Sequence, residues 1–553
     1  MKHEMTGGAA IVQSLQQHGV DTVFGIPGTH NLAIYEALHD APSIQHIVAR
    51  HEQGAAFMAD GYARASGREG ICFCTTGPAA LNLLASMGTA YSDSIPLFAI
   101  CSQIPGRHIG LEKGYLHECR DQLSCFRPVT KWCRRVDSVD EIPRAIQEAF
   151  RQMRTGRSRP VAIEVPFDIL DNEGAVAVVP PVPVVRLAPA ADRIDEAVRL
   201  LAAARRPCIW AGGGVVQSGA TGALEQLATK IQAPVFTTVS GKGGISDDHP
   251  LALGNTMLVK ASREYLARAD LLLAVGTRFT ELETERWQLP LPRPLIHVDI
   301  DASELRRNYP VELGIVGDAR LTLEALCVRC QASLSTDATQ LEVKAVYQEM
   351  REECERLSPD TVALVDAIRR ATPRNTKFAC DLTVAVYWSF LLLRLYGPRC
   401  YFYPWGFCTL GFGLSAGIGA KLACPDHPVV VLTGDGGLLF NIQELATVAQ
   451  LGLSLVVVVF NDNSYGVLKP QQEMKYGRTI GVDLKNPDFP DLARAFGVVG
   501  RRVHSVQELE IAITDGLKKG GCWLIEMPCS IDWPTAARLS RMFPETRSNN
   551  SLP

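Results

Sequence analysis

No stretch of this 553-residue chain reaches the run of about 18 apolar residues that a membrane-spanning helix needs, and its opening, MKHEMTGGAAIVQSLQQHGV, lacks the apolar core of an export signal. A soluble, cytoplasmic protein is therefore expected. An excess of basic charge is missing too: 55 Lys and Arg stand against 59 Asp and Glu, a net charge of −4, which leaves no positive field for nucleic acid. The sixteen cysteines lie scattered through apolar segments without the spacing of a disulfide scaffold, and the CxxC of Cys327 and Cys330 has no second pair nearby. Buried thiols are expected rather than disulfides or zinc.

What the chain does have is a repeated α/β rhythm, long enough for several domains. In the first part, apolar strands at Thr22 to Phe24, Ile44 to Val48, Gly70 to Thr75, Leu97 to Cys101 and Pro160 to Val165 alternate with helical patterns, which predicts a mainly parallel sheet. Pro180, Pro181, Pro183 and Pro189 then break the pattern. A second set of short strands follows (CIWAGGG, APVFTTV, LLLAVGT, LIHVDID), then a polar joint over Gln331 to Gln340, then a third set. These signals give an α/β chain with domains at 1–175, 191–335 and 356–535, linkers at 176–190 and 336–355, and a polar tail at 536–553 that packs loosely or caps the site.

The most informative stretch is PVVVLTGDGGLLFNIQELATVAQLGLSLVVVVFNDNSYG, from Pro428 to Gly466. It reads as strand Val429 to Leu432, a glycine turn, a helix over Asn441 to Gln450 and strand Leu453 to Phe460. Both strands of such a βαβ unit end at the same sheet edge, so Gly434-Asp435-Gly436-Gly437 and Asn461-Asp462-Asn463 arrive side by side. Asp435, Asp462 and a carbonyl near Ser464 suit a small hard cation such as Mg²⁺, and the glycines let backbone N–H groups approach a diphosphate.

This pairing of GDG with an Asn-rich turn resembles the thiamin diphosphate signature, and the three-part plan is similar over nearly the whole chain to the thiamin diphosphate decarboxylase and acetolactate synthase superfamily. The resemblance implies three doubly wound Rossmann-like domains, binding the pyrimidine first and the diphosphate last. It implies metal ligands at Asp435, Asp462 and the Ser464 carbonyl, with Tyr465 and Gly466 completing the turn. Cofactor lies between the first domain of one subunit and the third of another, so a homodimer is the minimum and a homotetramer is usual. The glycines at 212 to 214 with Asp299 and Asp301 leave FAD open in the middle domain without favouring it.

The same resemblance distributes the chemistry. In RHEQGAAFMADGYAR, Glu52 shares a proton with the cofactor's pyrimidine N1′ and so promotes removal of the thiazolium C2 proton. In GFCTLGFGLSAGIGAK, Leu410 wedges between the two rings and the Cys408 carbonyl accepts from the 4′-amino group. Thr383 stands where acetolactate synthases contact the diphosphate, and Asn82 lies near the pyrimidine. On the substrate side, Thr29 and His30 of GIPGTHN face the reactive carbon, and His117 takes the place of a channel-lining Gln. Adjacent histidines, the mark of pyruvate decarboxylases, are absent from the sequence. The fuller likeness is to 5-guanidino-2-oxopentanoate (2-ketoarginine) decarboxylases, although Lys469 sits poorly with a guanidinium substrate. The expected activity is decarboxylation of a small 2-oxoacid by way of a C2-bound enamine that is protonated or adds to a second carbonyl. An aldehyde lyase of the benzaldehyde lyase type, an acetolactate synthase and a non-catalytic subunit are the alternatives.

Overall fold

The computed structural model describes residues 2–256, 259–332 and 337–529. The expected tail at 536–553, and its capping role, lie outside the described residues.

Three six-stranded sheets, each parallel throughout and flanked by helices, follow one another along the chain. The first has the order Gln45–Val48, Thr22–Gly25, Gly70–Cys74, Leu97–Gln103, Val161–Pro166, Trp132–Arg135. The middle sheet runs Ala252–Gly254, Val235–Thr237, Pro207–Ala211, Leu271–Val275, Leu295–Asp299, Leu313–Val316. In the third, Tyr401–Phe402, Lys377–Cys380, Val429–Gly434, Leu455–Asn461, Cys522–Pro528 and Val499–Arg502 lie in sequence across the sheet. Strands such as Leu455–Asn461, LVVVVFN, are buried on both faces, which is why they read as unbroken apolar runs. A small antiparallel pair, His3–Thr6 with Glu173–Val176, closes the ends of the first domain together.

The structure departs from the expected elements at three points. A further strand, Trp132–Arg135, lies outside Val161–Pro166 at the edge of the first sheet; its WCRR sequence is half exposed and so carries no apolar run. The helix expected over Asn441 to Gln450 is divided: a short helix starts directly at Asp435, a 3₁₀ turn spans Ile442–Glu444, and helix Leu445–Leu451 follows. Of the linker expected at 336–355, residues 337–355 lie within helix Asp337–Leu357. Val343 and Val346 on this helix enter the middle-domain core, while Met350 and Cys354 enter that of the third domain, so it bridges the two.

First and third domains share one core. Helix Glu52–Ser66 crosses helix Phe412–Ala423 at backbone contact, made possible by glycine: a Cβ at Gly61 would lie 2.1 Å from Ala416 O, and one at Gly419 would lie 1.8 Å from Met58 O. All sixteen cysteines are free thiols, and Cys330 is buried in the middle core.

Candidate active site

Each sheet reverses its direction of growth at one point, and ligands of doubly wound sheets bind beyond the strand ends there. In the third sheet the reversal lies between Lys377–Cys380 and Val429–Gly434, and beside it, at the ends of Val429–Gly434 and Leu455–Asn461, the chain builds an oxygen-rich cluster. Asp435, 3 % exposed, starts its helix directly from the strand end. The Asn486 side-chain amide donates toward Asp435 Oδ2 (2.6 Å), Asn461 Oδ1 (3.0 Å) and Asn463 Oδ1 (3.2 Å). An NH₂ group has two hydrogens, so three converging acceptors leave lone pairs unused. Burial raises the pKa of Asp435 and of Asp462; at Asp435 the Asp462 charge adds to the effect and the Asn486 bond opposes it. Spare hard oxygens beside one buried and one half-buried carboxylate fit a hard divalent cation, whose charge would offset that cost.

The surrounding turn is tightly built. Asp462 Oδ1 accepts from Ser464 N at 3.0 Å, and Gly466 lies against Asp462 Oδ2. Gly436 packs against the Tyr465 ring, Gly434 against Thr383, and Gly437 against the Asp381 carboxylate. Burial pushes the pKa of Asp381 up to about 6; its carboxylate accepts from the backbone N–H groups of Leu382 (2.8 Å), Gly411 (3.1 Å) and Gly413 (3.0 Å). Those bonds fix the segment that carries Cys408, with φ 51°, and Leu410. Leu410 is half-buried, unlike Leu414 in the adjoining helix. The segment is also anchored on the first domain, where Asp93 Oδ1 accepts from Gly406 N (2.9 Å) and the Thr89 and Thr409 hydroxyls pair at 2.9 Å.

The first sheet reverses between Thr22–Gly25 and Gly70–Cys74. Glu52 begins its helix at the same edge, and Glu52 Oε2 accepts from Asn82 Nδ2 at 2.9 Å. His30, 4 % exposed, stacks on Phe167 with ring centroids 4.8 Å apart and faces the His117 ring across 5.2 Å. Thr29 beside it is exposed. The Nδ1 atoms of both histidines are buried and unpartnered among the described residues. Burial, then the His117 charge, lowers the His30 pKa, which favours the neutral ring. The sequence lacks adjacent histidines, yet the fold supplies a pair from two distant loops.

The middle sheet reverses between Pro207–Ala211 and Leu271–Val275, beside a cavity of roughly 660 Å³ bounded by Gly213, Thr277, Arg278, Asp299, Asp318 and Trp405. Its size and glycine edge suit a nucleotide of any kind and do not single out a flavin.

Models of the thiamine pyrophosphate enzymes match all three parts: the N-terminal TPP binding domain over residues 5–125, the central domain over 194–326 and the C-terminal TPP binding domain over 381–527. A probable 2-ketoarginine decarboxylase of Pseudomonas aeruginosa is 40 % identical over 95 % of this chain and 94 % of its own length. The chain belongs to the thiamine pyrophosphate enzymes. Two further members are a probable acetolactate synthase large subunit of Methanocaldococcus jannaschii, 34 % identical over 95 % of this chain and 92 % of its own, and the acetolactate synthase isozyme 3 large subunit of Escherichia coli, 32 % identical over 93 % and 92 %.

As a member of the decarboxylase and acetolactate synthase group, this thiamin diphosphate enzyme is a lyase or transferase acting on carbon–carbon bonds of small molecules. No helix among the described residues is long and apolar enough to cross a membrane. Asn486 and Asp381 were not singled out from the sequence; Asn486 lies 51 residues beyond Asp435, with no fixed spacing to it.

Proposed function

We propose that this enzyme uses Mg²⁺ and thiamin diphosphate to decarboxylate a 2-oxoacid and release an aldehyde, with addition to a second carbonyl as the competing outcome. The observation that carries this reading is the His30 and His117 pair at the edge of the first sheet, a buried ring facing a half-buried one across 5.2 Å, each with an Nδ1 atom unpartnered among the described residues. Such a pair is suited to hold and deliver the proton an aldehyde product needs. When bound, thiamin diphosphate supplies the carbon centre that takes up the electrons left by departing CO₂.

The chain's own residues do the rest. Asp435, Asp462 and the Ser464 carbonyl would hold the cation, and Gly434, Gly436, Gly437 and Thr383 would receive the diphosphate, with Tyr465 and Gly466 shaping the far wall. The Cys408 carbonyl would accept from the cofactor's amino group, and Leu410 would pack against its rings. Glu52, steadied by Asn82, would exchange a proton with the pyrimidine nitrogen, and Thr29 with the two histidines would line the substrate side. Lys469 is paired with Asp483 at 2.7 Å, so its charge is offset and does not oppose a cationic substrate of the kind named for the Pseudomonas relative. The working unit is a homodimer at least, with domains near 1–175, 191–335 and 356–529. Exposed apolar side chains at Leu81, Phe407, Leu439 and Phe440 beside the site residues support that assembly.

The test is product analysis with a panel of 2-oxoacids, 5-guanidino-2-oxopentanoate among them, with and without an acceptor aldehyde. Wild type is expected to give the aldehyde, and His30→Ala and His117→Ala to slow its release by roughly 10²- to 10⁴-fold. Hydroxyketone as the sole product, or aldehyde formation unaffected in both variants, overturns the reading.

A further inference from the structure

Glu444 is a fully buried carboxylate that the proposed chemistry does not use. It stands in the third domain, nine positions after Asp435, yet two of its three hydrogen-bond partners, Arg50 and His51, are in the first. Glu444 Oε1 accepts from Arg50 N (3.0 Å) and His51 N (3.1 Å), Oε2 from Arg50 N (3.2 Å), and Oε2 also from Thr447 Oγ1 (2.7 Å). Arg50 and His51 are the two residues immediately before Glu52. A neighbouring bond reinforces the grip: Arg50 Nη2 donates to Gln450 Oε1 (2.6 Å). On the other side of Glu52, a Cβ at Gly54 would lie 2.4 Å from Glu444 Oε1, so the helix start is pressed onto this carboxylate. His51 completes the cap by accepting from Gln53 N through Nδ1 at 3.0 Å.

We propose that Glu444 is a positioning residue: from the third domain it clamps the entry of the Glu52 helix and so sets where the Glu52 carboxyl is held for proton exchange. The inference rests on the role given to Glu52 above. A helix entry left without this carboxylate has two amides lacking their partner, and the side chain one residue later loses its fixed origin. Displacement of a reacting group by about 1 Å is enough to cost up to roughly 10²-fold in rate.

Two readouts separate the clamp from the assignment of Glu52. The first is backbone hydrogen exchange in cofactor-free protein, followed in a peptide spanning residues 49–57. Glu444→Ala is expected to raise exchange there by roughly tenfold or more, with peptides of the middle domain unchanged. Glu444→Gln keeps one acceptor oxygen and should fall between Ala and wild type; it also serves if the Ala variant fails to fold. The second is deuterium exchange at C2 of thiamin diphosphate bound with Mg²⁺, which should slow by roughly 10- to 100-fold in Glu444→Ala while cofactor Kd moves by less than about threefold. Gly54→Ala, which drives a methyl group into the same carboxylate, should reproduce the slowing. Unchanged protection of residues 49–57 in Glu444→Ala overturns the clamp whatever the cofactor does. Lost protection with an unchanged C2 rate overturns the positioning role, provided that Glu52→Gln is slow; if Glu52→Gln is also unimpaired, the role of Glu52 itself has failed.

Discussion

Glu283 is a carboxyl whose charge the fold makes expensive. It is fully enclosed in the middle domain, where it accepts from Val239 N at 3.1 Å and from Thr280 Oγ1 at 2.9 Å, and burial pushes its pKa from 4.5 up to about 7. The sign of the consequence is fixed by linkage: a carboxyl whose folded-state pKa is raised costs nothing below about pH 4.5, and its cost grows between about pH 4.5 and 7 and is fully present above that. Glu283→Gln keeps the shape without the charge. The denaturant midpoint of the middle domain should therefore be close to wild type at pH 5 and should favour the variant at pH 8, by roughly 1–3 kcal/mol. A gap that does not change with pH would show that Glu283 is ionised at no cost. Such groups are invisible in sequence, because a Glu two residues from two other acidic side chains in TELETERW reads as solvated surface.

At the scale of elements, the crossing of helices Glu52–Ser66 and Phe412–Ala423 depends on absent side chains. Gly419→Ala would place a methyl group 1.8 Å from Met58 O, a backbone atom that cannot step aside. It should destabilise by roughly 1–3 kcal/mol or more, read as a lowered denaturant midpoint. Gly222→Ala, in a helix where a Cβ meets nothing within 4 Å, is the control and should be neutral or stabilise by roughly 0.4–1 kcal/mol. Equal effects would reduce both to helix propensity. The elements most legible in sequence were those with strong local signals: the doubly buried strands, and the GDG turn paired with FNDN. Edge strand Trp132–Arg135 was not legible, because two of its four residues are arginines. Helix Asp337–Leu357 was missed because its apolar positions form a narrow stripe, divided between two cores, within a sequence rich in glutamate. The candidate site was legible wherever one turn carries it, as at Asp435 and Asp462. It was not legible where contacts join distant segments, as in the facing rings of His30 and His117 or the meeting of Asn486 with Asp435.

For the whole molecule, the acidic cluster and the proposed subunit arrangement make a joint prediction. A ligand that binds only folded protein raises its stability in proportion to the logarithm of ligand concentration over Kd. Mg²⁺ and thiamin diphosphate together should raise the melting temperature of wild type, and the rise should grow with protein concentration if each cofactor is held between subunits. Asp435→Ala should lose the rise. An unchanged rise in that variant would remove Asp435 from the metal site, and a concentration-independent rise would place the cofactor within one chain. The glycine-to-backbone crossing of the first and third domains also bears on how such chains are recombined. Because Gly61 and Gly419 each fit a backbone carbonyl of the other domain, neither domain is an interchangeable module. A chimera that takes its third domain from a relative must take the first domain with it, and a pair inherited from different parents would meet at a seam with no room to adjust.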